Sequence, residues 1–215
     1  MIRHFRFGSP LPTESVVQEL PICTDAVPFF TADETGGWAY PLAPDAIVYG
    51  LGEMPRGINK RGWHYIADNT DQSHHGEDKL SYYGAHNFML IDDGSSGGCF
   101  GVFIDFAGKV YYDIGFTAYE TLRFHTEEPD YELYIITGDD PNDIVHQFRQ
   151  LIGRSYIPPK WAFGLAQSRW GYKTAGDVRE VARRYREHDM PLDMVVMDID
   201  YMQDYADFTV NQQRF

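Results

Sequence analysis

Cysteine is nearly absent: Cys23 and Cys99 are the only two in 215 residues. Two cysteines without metal-ligand spacing exclude a disulfide framework and a thiolate metal site, so each is expected as a free thiol. Long apolar runs are missing too. No stretch approaches the roughly 20 residues of a membrane-spanning helix. The N-terminus, MIRHFRFGSPLPTE, is basic but lacks an apolar signal core. A cytoplasmic protein without a membrane partner is the expectation. Basic residues are scarce: 18 Lys and Arg against 32 Asp and Glu give a formal net charge of −14. Such a chain repels phosphate backbones, which excludes nucleic acid and leaves a neutral substrate.

Aromatic residues are what the chain has in excess, with 15 Tyr, 14 Phe and 4 Trp. They suit a β-rich core first, and a site that stacks on sugar rings second. Six short runs rich in Val, Ile, Tyr and Phe read as strands: 45–52, 87–93, 99–106, 109–116, 121–127 and 131–137. Turn residues such as DDGSSGG at 92–98 separate them. Short strands in tandem predict an antiparallel sandwich. Residues 53–86 break the rhythm, being long, polar and without a clean period. The reading there is a functional loop, kept from disorder by Trp63, Tyr65, Tyr82 and Tyr83.

At 141–152 the period changes. Ile144, Val145, Phe148, Leu151 and Ile152 mark one helical face, Pro141 suits the first turn, and Gly153 ends the helix. The prolines of RSYIPPKW (154–161) then exclude helix and central strand, so this is a stiff linker. Beyond it, WAFGLAQSRW (161–170) reads as a strand. TAGDVREVARRYREHD (174–189) reads as a helix, with a Thr174–Asp177 capping box and an apolar stripe of Val178, Val181, Ala182 and Tyr185. LDMVVMDID (192–200) reads as a second strand. Strand, helix, strand predicts a parallel βαβ unit. The fold class is therefore mainly β: a sandwich domain ending in a helix over 1–157, then a βαβ unit over 158–215.

Asp198 and Asp200 close the second of these strands. On one strand they would face the same way, with Cα atoms about 6.6 Å apart. Retaining glycosidases use two carboxyls about 5–5.5 Å apart, but those flank the scissile bond, and this pair would act from one side. A sugar-binding pair and a charged turn both remain open. Trp170 stands at the tip of the first strand, either as a core side chain or as a wall facing a ligand. Gln167 and Arg169 beside it would brace such a site or merely flank it. His74, His75, Glu77 and Asp78 lack a recognised ligand spacing and read as a solvated loop, not a metal site.

YGLGE (49–53), YGAHNF (83–88), PPKWAFGLAQSRWGY (158–172) and PLDMVVMDIDYMQDYADFTVNQQRF (191–215) together resemble glycoside hydrolase family 31, whose best-known members are α-glucosidases. The resemblance runs from about residue 45 onward and is most specific in its last two segments. It implies a sandwich followed by a (β/α)8 catalytic barrel, a retaining exo-acting α-glucosidase, an oligosaccharide partner and no metal or other cofactor. It assigns Asp198 to the hydroxyls of the non-reducing sugar, Ile199 and Trp170 to the same pocket, and Asp71 to the leaving-group sugar, with Asp200 structural. A non-catalytic carbohydrate-binding sandwich and an α-xyloside-cleaving relative are the alternatives.

The chain also departs from the family. Far fewer than the roughly 250 residues of a barrel follow the linker. No D-M-N-E-like nucleophile motif occurs, so no catalytic carboxylate is expected within this chain. A truncated barrel would leave strand edges open, and self-association through them is a further expectation.

Overall fold

In TLRFHT, Leu122 and Phe124 are buried while Arg123 and His125 are half-exposed. This period of two recurs through the N-terminal two-thirds of the chain and builds sheets with one face on a core. The computed structural model describes residues 1–94 and 97–215. The run 92–98 includes Ser95 and Ser96, which lie outside the described residues. The chain divides into two compact units, Met1–Arg154 and Ser155–Phe215.

The first unit is an antiparallel sandwich. One sheet contains β1 (Ile2–Phe7), β10 (Tyr131–Thr137), β7 (Cys99–Asp105), β6 (Ala85–Asp92) and β4 (Ile47–Gly52), in that order. The other contains β2 (Thr31–Ala32), β3 (Trp38–Pro41), β9 (Thr121–Thr126), β8 (Val110–Ile114) and β5 (Trp63–Ala67). Val102, Ile104, Leu133 and Ile135 from the first sheet meet Tyr65, Tyr112, Ile114, Leu122 and Phe124 from the second in one core. Strand β10 is buried on both faces. Its Tyr134 and Ile136 form a second cluster with Leu90, Phe103 and the face of α1 (Pro141–Leu151) that carries Ile144, Phe148 and Leu151. That double burial explains why YELYIIT reads as an almost unbroken apolar run.

Helix α1 begins as its sequence signals require. The Asp140 side chain accepts from the Asp143 amide at 2.9 Å, Pro141 opens the first turn, and Gly153 follows the helix at φ 90°.

Strand β5 corrects the reading of 53–86 as one loop. Trp63 to Ala67 pair antiparallel with Ile114 to Val110, and Tyr65 and Ala67 enter the core. The irregular part is shorter, and it too is tied down. Ile66 N donates to Leu80 O (3.1 Å), Thr70 N to Tyr82 O (3.0 Å) and Glu53 N to Gly84 O (2.8 Å). The YGLGE stretch is a break in the β4–β6 register between Gly50 and Gly52. Both glycines have positive φ, 109° and 73°, and a Cβ on either would strike a backbone carbonyl, of Phe88 or of Gly84.

The second unit holds a short 3₁₀ helix (Lys160–Phe163), β11 (Ala166–Ser168), α2 (Ala175–Glu187) and β12 (Met194–Val196). The two strands are parallel, with Ala166, Gln167 and Ser168 opposite Met194, Val195 and Val196. The capping box of α2 is complete in both directions between Thr174 and Asp177. Both strands are shorter than their apolar runs suggest. Residues 161–163 coil into the 3₁₀ helix, and β12 stops at Val196. Among the described residues no helix is long and apolar enough to cross a membrane.

Candidate functional site

Ser168 and Val196 are register partners at the C-terminal ends of β11 and β12. The segments that follow them therefore leave the sheet side by side. Trp170 lies two residues past the first strand end and Asp198 two residues past the second. The expectation that Asp198 and Asp200 share one strand face is overturned. Residues 198–200 form a turn, and Asp198 adopts a left-handed φ of 62°. Aspartate tolerates that conformation better than most residues. The turn turns the two carboxylates to different surroundings.

Asp200 is only 6% exposed and accepts a hydrogen bond from the Tyr205 hydroxyl at 3.2 Å. Asp198 is exposed, and among the described residues it makes no hydrogen bond or ion pair. Ile199 (42% exposed) and Trp170 (70%) also face outward. Three of the residues singled out from the sequence thus stand exposed just past adjacent strand ends, while Asp200 and Tyr172 in the same two segments are buried.

A polar chain fixes β11 to its helix. The Tyr185 hydroxyl of α2 donates to Gln167 Oε1 at 2.5 Å, and Gln167 Nε2 donates to the Tyr172 hydroxyl at 3.2 Å. Tyr172, 4% exposed, is the anchor. Tyr185 appears in the sequence only as part of an apolar stripe, so nothing there points to its hydroxyl. The segment after Asp200 is held by its own bonds. Asn211 N donates to Tyr201 O at 2.8 Å, Gln203 N to Thr209 Oγ1 at 2.9 Å, and Ala175 N to Arg214 O at 2.8 Å.

Asp71 belongs to the first unit. It is exposed, and the Tyr83 hydroxyl lies 3.0 Å from its Oδ1 and 2.7 Å from Gln72 O, sharing one proton between two acceptors. The Asp71 carboxylate holds the Tyr83 phenol above its ordinary pKa. At the base of the same loop, the Asn69 side chain accepts from Ala85 N at 2.7 Å. His75 packs on Tyr82 and Tyr83, at centroid distances of 5.1 and 5.4 Å, so its ring is engaged in aromatic contacts.

Two profiles of one family match. The glycosyl hydrolase 31 N-terminal galactose mutarotase-like domain covers residues 26–113, and the glycosyl hydrolases family 31 TIM-barrel domain covers 155–215. The chain belongs to glycoside hydrolase family 31. Asp71 falls in the first family 31 domain, and Trp170, Asp198 and Ile199 fall in the second.

Individual proteins are similar as well. Alpha-glucosidase 2 of Bacillus thermoamyloliquefaciens is 37% identical over 169 residues, which are 78% of this chain and 21% of that enzyme. Human intestinal sucrase-isomaltase is 36% identical over 178 residues, 80% of this chain and 9% of that protein. The chain therefore spans about one fifth or less of these relatives. A Flavobacterium johnsoniae family 31 dextranase, solved with isomaltotriose, superimposes with a TM-score of 0.69 at 27% identity. That match covers 83% of this chain and 21% of the dextranase.

Proposed function

We propose that the protein carrying this chain is a retaining, exo-acting α-glucosidase that hydrolyses α-linked glucosides of oligosaccharides. In this reading the chain supplies part of the substrate pocket and none of the catalytic carboxylates. Asp198 accepts hydrogen bonds from hydroxyls of the non-reducing sugar. Ile199 and Trp170 wall the same ring, and Asp71 meets the sugar on the leaving-group side.

The observation that carries the reading is the division of labour within Asp-Ile-Asp. One carboxylate is buried and bonded, while its neighbour is exposed at a parallel-strand tip and, among the described residues, has no partner. In α/β barrels, substrate-contacting groups gather at the C-terminal strand ends. An ionised carboxylate that accepts from hydroxyls makes charge-assisted hydrogen bonds, about twice as strong as neutral ones. The α-glucosidase relatives and the isomaltotriose-bound dextranase support an α-linked, glucose-containing substrate. Retention requires a nucleophile and an acid/base carboxyl about 5–5.5 Å apart. Neither role is assigned to a residue of this chain.

The test is hydrolysis by the full-length protein on maltose, isomaltose and nitrophenyl α-glucoside and α-xyloside, with the anomer of the first product read by NMR. Release of α-glucose is the expected result, together with no turnover by residues 1–215 alone. Initial release of β-glucose overturns retention, preference for the xyloside overturns the glucoside assignment, and glucose release by the purified 215-residue chain overturns its inactivity. A full-length protein that binds oligosaccharide without cleaving it would instead be a non-catalytic binding module.

A further inference from the structure

Between β5 and β6 the chain makes one long excursion, and the two arms of that loop run side by side. Thr70 N donates to Tyr82 O at 3.0 Å, and Ala85 N donates to the Asn69 side chain at 2.7 Å. Asp71 follows Thr70 and Tyr83 follows Tyr82, so the backbone pairing sets these two residues next to each other. The Tyr83 hydroxyl then reaches Asp71 Oδ1 at 3.0 Å and Gln72 O at 2.7 Å.

We propose that Tyr83 is a positioning residue, which selects one orientation of the Asp71 carboxylate through this hydrogen bond and leaves Oδ2 to accept from a sugar hydroxyl. The role of Asp71 on the leaving-group sugar rests on the proposed function. The orientation of Asp71 rests on the loop itself.

The donor is fixed independently of Asp71. His75 meets the Tyr83 ring edge-on at 5.4 Å and 82°, and packs on Tyr82 at 5.1 Å. The Tyr82 hydroxyl donates to Gly76 O at 2.9 Å, which ties the residue after His75 to the same arm. Gln72 O gives the Tyr83 hydroxyl a second acceptor on the backbone, whose place depends on no rotamer. The acceptor is only half used. Among the described residues Asp71 Oδ2 has no hydrogen bond or ion pair, so one carboxylate oxygen stays open to a ligand.

Asp71 and Tyr83 are both exposed, so water competes for their bond and its contribution to stability is small. Its consequence is conformational. An exposed aspartate without a tether spreads over three staggered χ1 wells. Holding one well, with the carboxylate plane fixed, raises the population able to bind by about three- to tenfold.

The test has a spectroscopic and a kinetic arm. In the 215-residue chain the Tyr83 phenol, followed by carbon NMR, should titrate above the ordinary tyrosine range, chiefly because Asp71 accepts its proton, with Glu53 adding to the shift. Asp71→Asn should bring it most of the way back. A titration that Asp71→Asn does not move overturns the proposal. In the full-length protein, kcat/KM is compared between maltose or isomaltose, whichever is turned over faster, and α-glucosyl fluoride. The fluoride's leaving group is a single atom and offers Asp71 no hydroxyl. Tyr83→Phe, which removes only the hydroxyl, should lower kcat/KM for the disaccharide about three- to tenfold relative to the fluoride. In an Asp71→Ala background the same change should have no such effect, since no carboxylate is left to orient. An unchanged ratio, an equal loss on both substrates, or the same loss with Asp71 already removed overturns the proposal while leaving the proposed function intact. A full-length protein that hydrolyses neither substrate strikes the proposed function, and this role falls with it.

Discussion

Asp198 and Asp200 are separated by one residue and share one chemistry, yet the turn between them leaves Asp198 in solvent and buries Asp200 against the Tyr205 hydroxyl. A buried carboxylate that holds a turn is a stability element. Asp200→Asn should lower the melting temperature of the full-length protein while leaving KM within about twofold. The amide oxygen still accepts from Tyr205, so what is lost is the charge assistance of that bond, about 1 kcal/mol. Thermal melts beside Michaelis kinetics check this. Unchanged stability with impaired KM would place Asp200, not Asp198, on the substrate.

Arg61 is a buried cation of the sandwich. Its guanidinium donates to the carbonyls of Ala43 (2.6 Å), Pro44 (3.1 Å), Ala46 (3.2 Å) and Tyr119 (2.9 Å), and lies 4.1 Å from the centre of the Tyr119 ring. Lysine has one nitrogen and cannot serve two separated loops. Arg61→Lys should destabilise the first unit by about 2–3 kcal/mol. Urea unfolding would show this as a lower midpoint at an unchanged slope; an unchanged midpoint would contradict it.

Asp105 gives the sandwich a pH dependence of known sign. Burial pushes its carboxyl above the ordinary value of 3.8, and hydrogen bonds from Thr13 and Ser15 only partly oppose that. Nearby Glu132 raises it further, and His4 lowers it. The folded state therefore holds this proton more tightly than the unfolded chain, so stability from this group falls as pH rises from 3.8 through the raised folded value. Asp105→Asn removes the charge and keeps an acceptor for Thr13, 2.6 Å away. The variant should melt above the parent at pH 7 and with it near pH 3.5. A parent that gains stability relative to the variant as pH rises would contradict the assignment.

The second unit should open first. Its two strands have three residues each, its helix buries no side chain, and Phe163 and Phe208 are 74% and 103% exposed. A two-stranded sheet is marginal alone. In the 215-residue chain, amides of β11 and β12 should exchange faster than those of β7 and β10, or gain protection only as concentration rises and copies associate. Equal protection in a proven monomer would contradict this.

Six strands were legible because each is rich in β-branched and aromatic residues and bounded by turns. The other four strands of the sandwich, β1, β2, β3 and β5, are not, and β1 and β5 fail for opposite reasons. IRHFRF, at a sheet edge, carries two arginines and reads as a basic terminus, while WHYIA sits inside a polar stretch whose few apolar residues give no period. The capping box and Pro141 marked both helices, because caps are local chemistry. The resemblance names Asp198, Ile199 and Trp170 and gives Asp200 a separate role, but the turn that parts the two carboxylates is not legible. That depends on a left-handed residue that no hydrophobic pattern encodes. The Tyr185–Gln167–Tyr172 chain was illegible because it joins a helix to a strand through polar atoms.

The most direct measurement is kcat/KM of Asp198→Asn in the full-length protein on maltose and isomaltose. The substitution keeps shape and removes charge. If Asp198 accepts hydrogen bonds from the sugar, kcat/KM falls about ten- to a hundredfold with an unchanged melting temperature. If Asp198→Asn retains the kcat/KM of the parent, the carboxylate at the strand tip is a solvated turn and the proposed pocket is wrong.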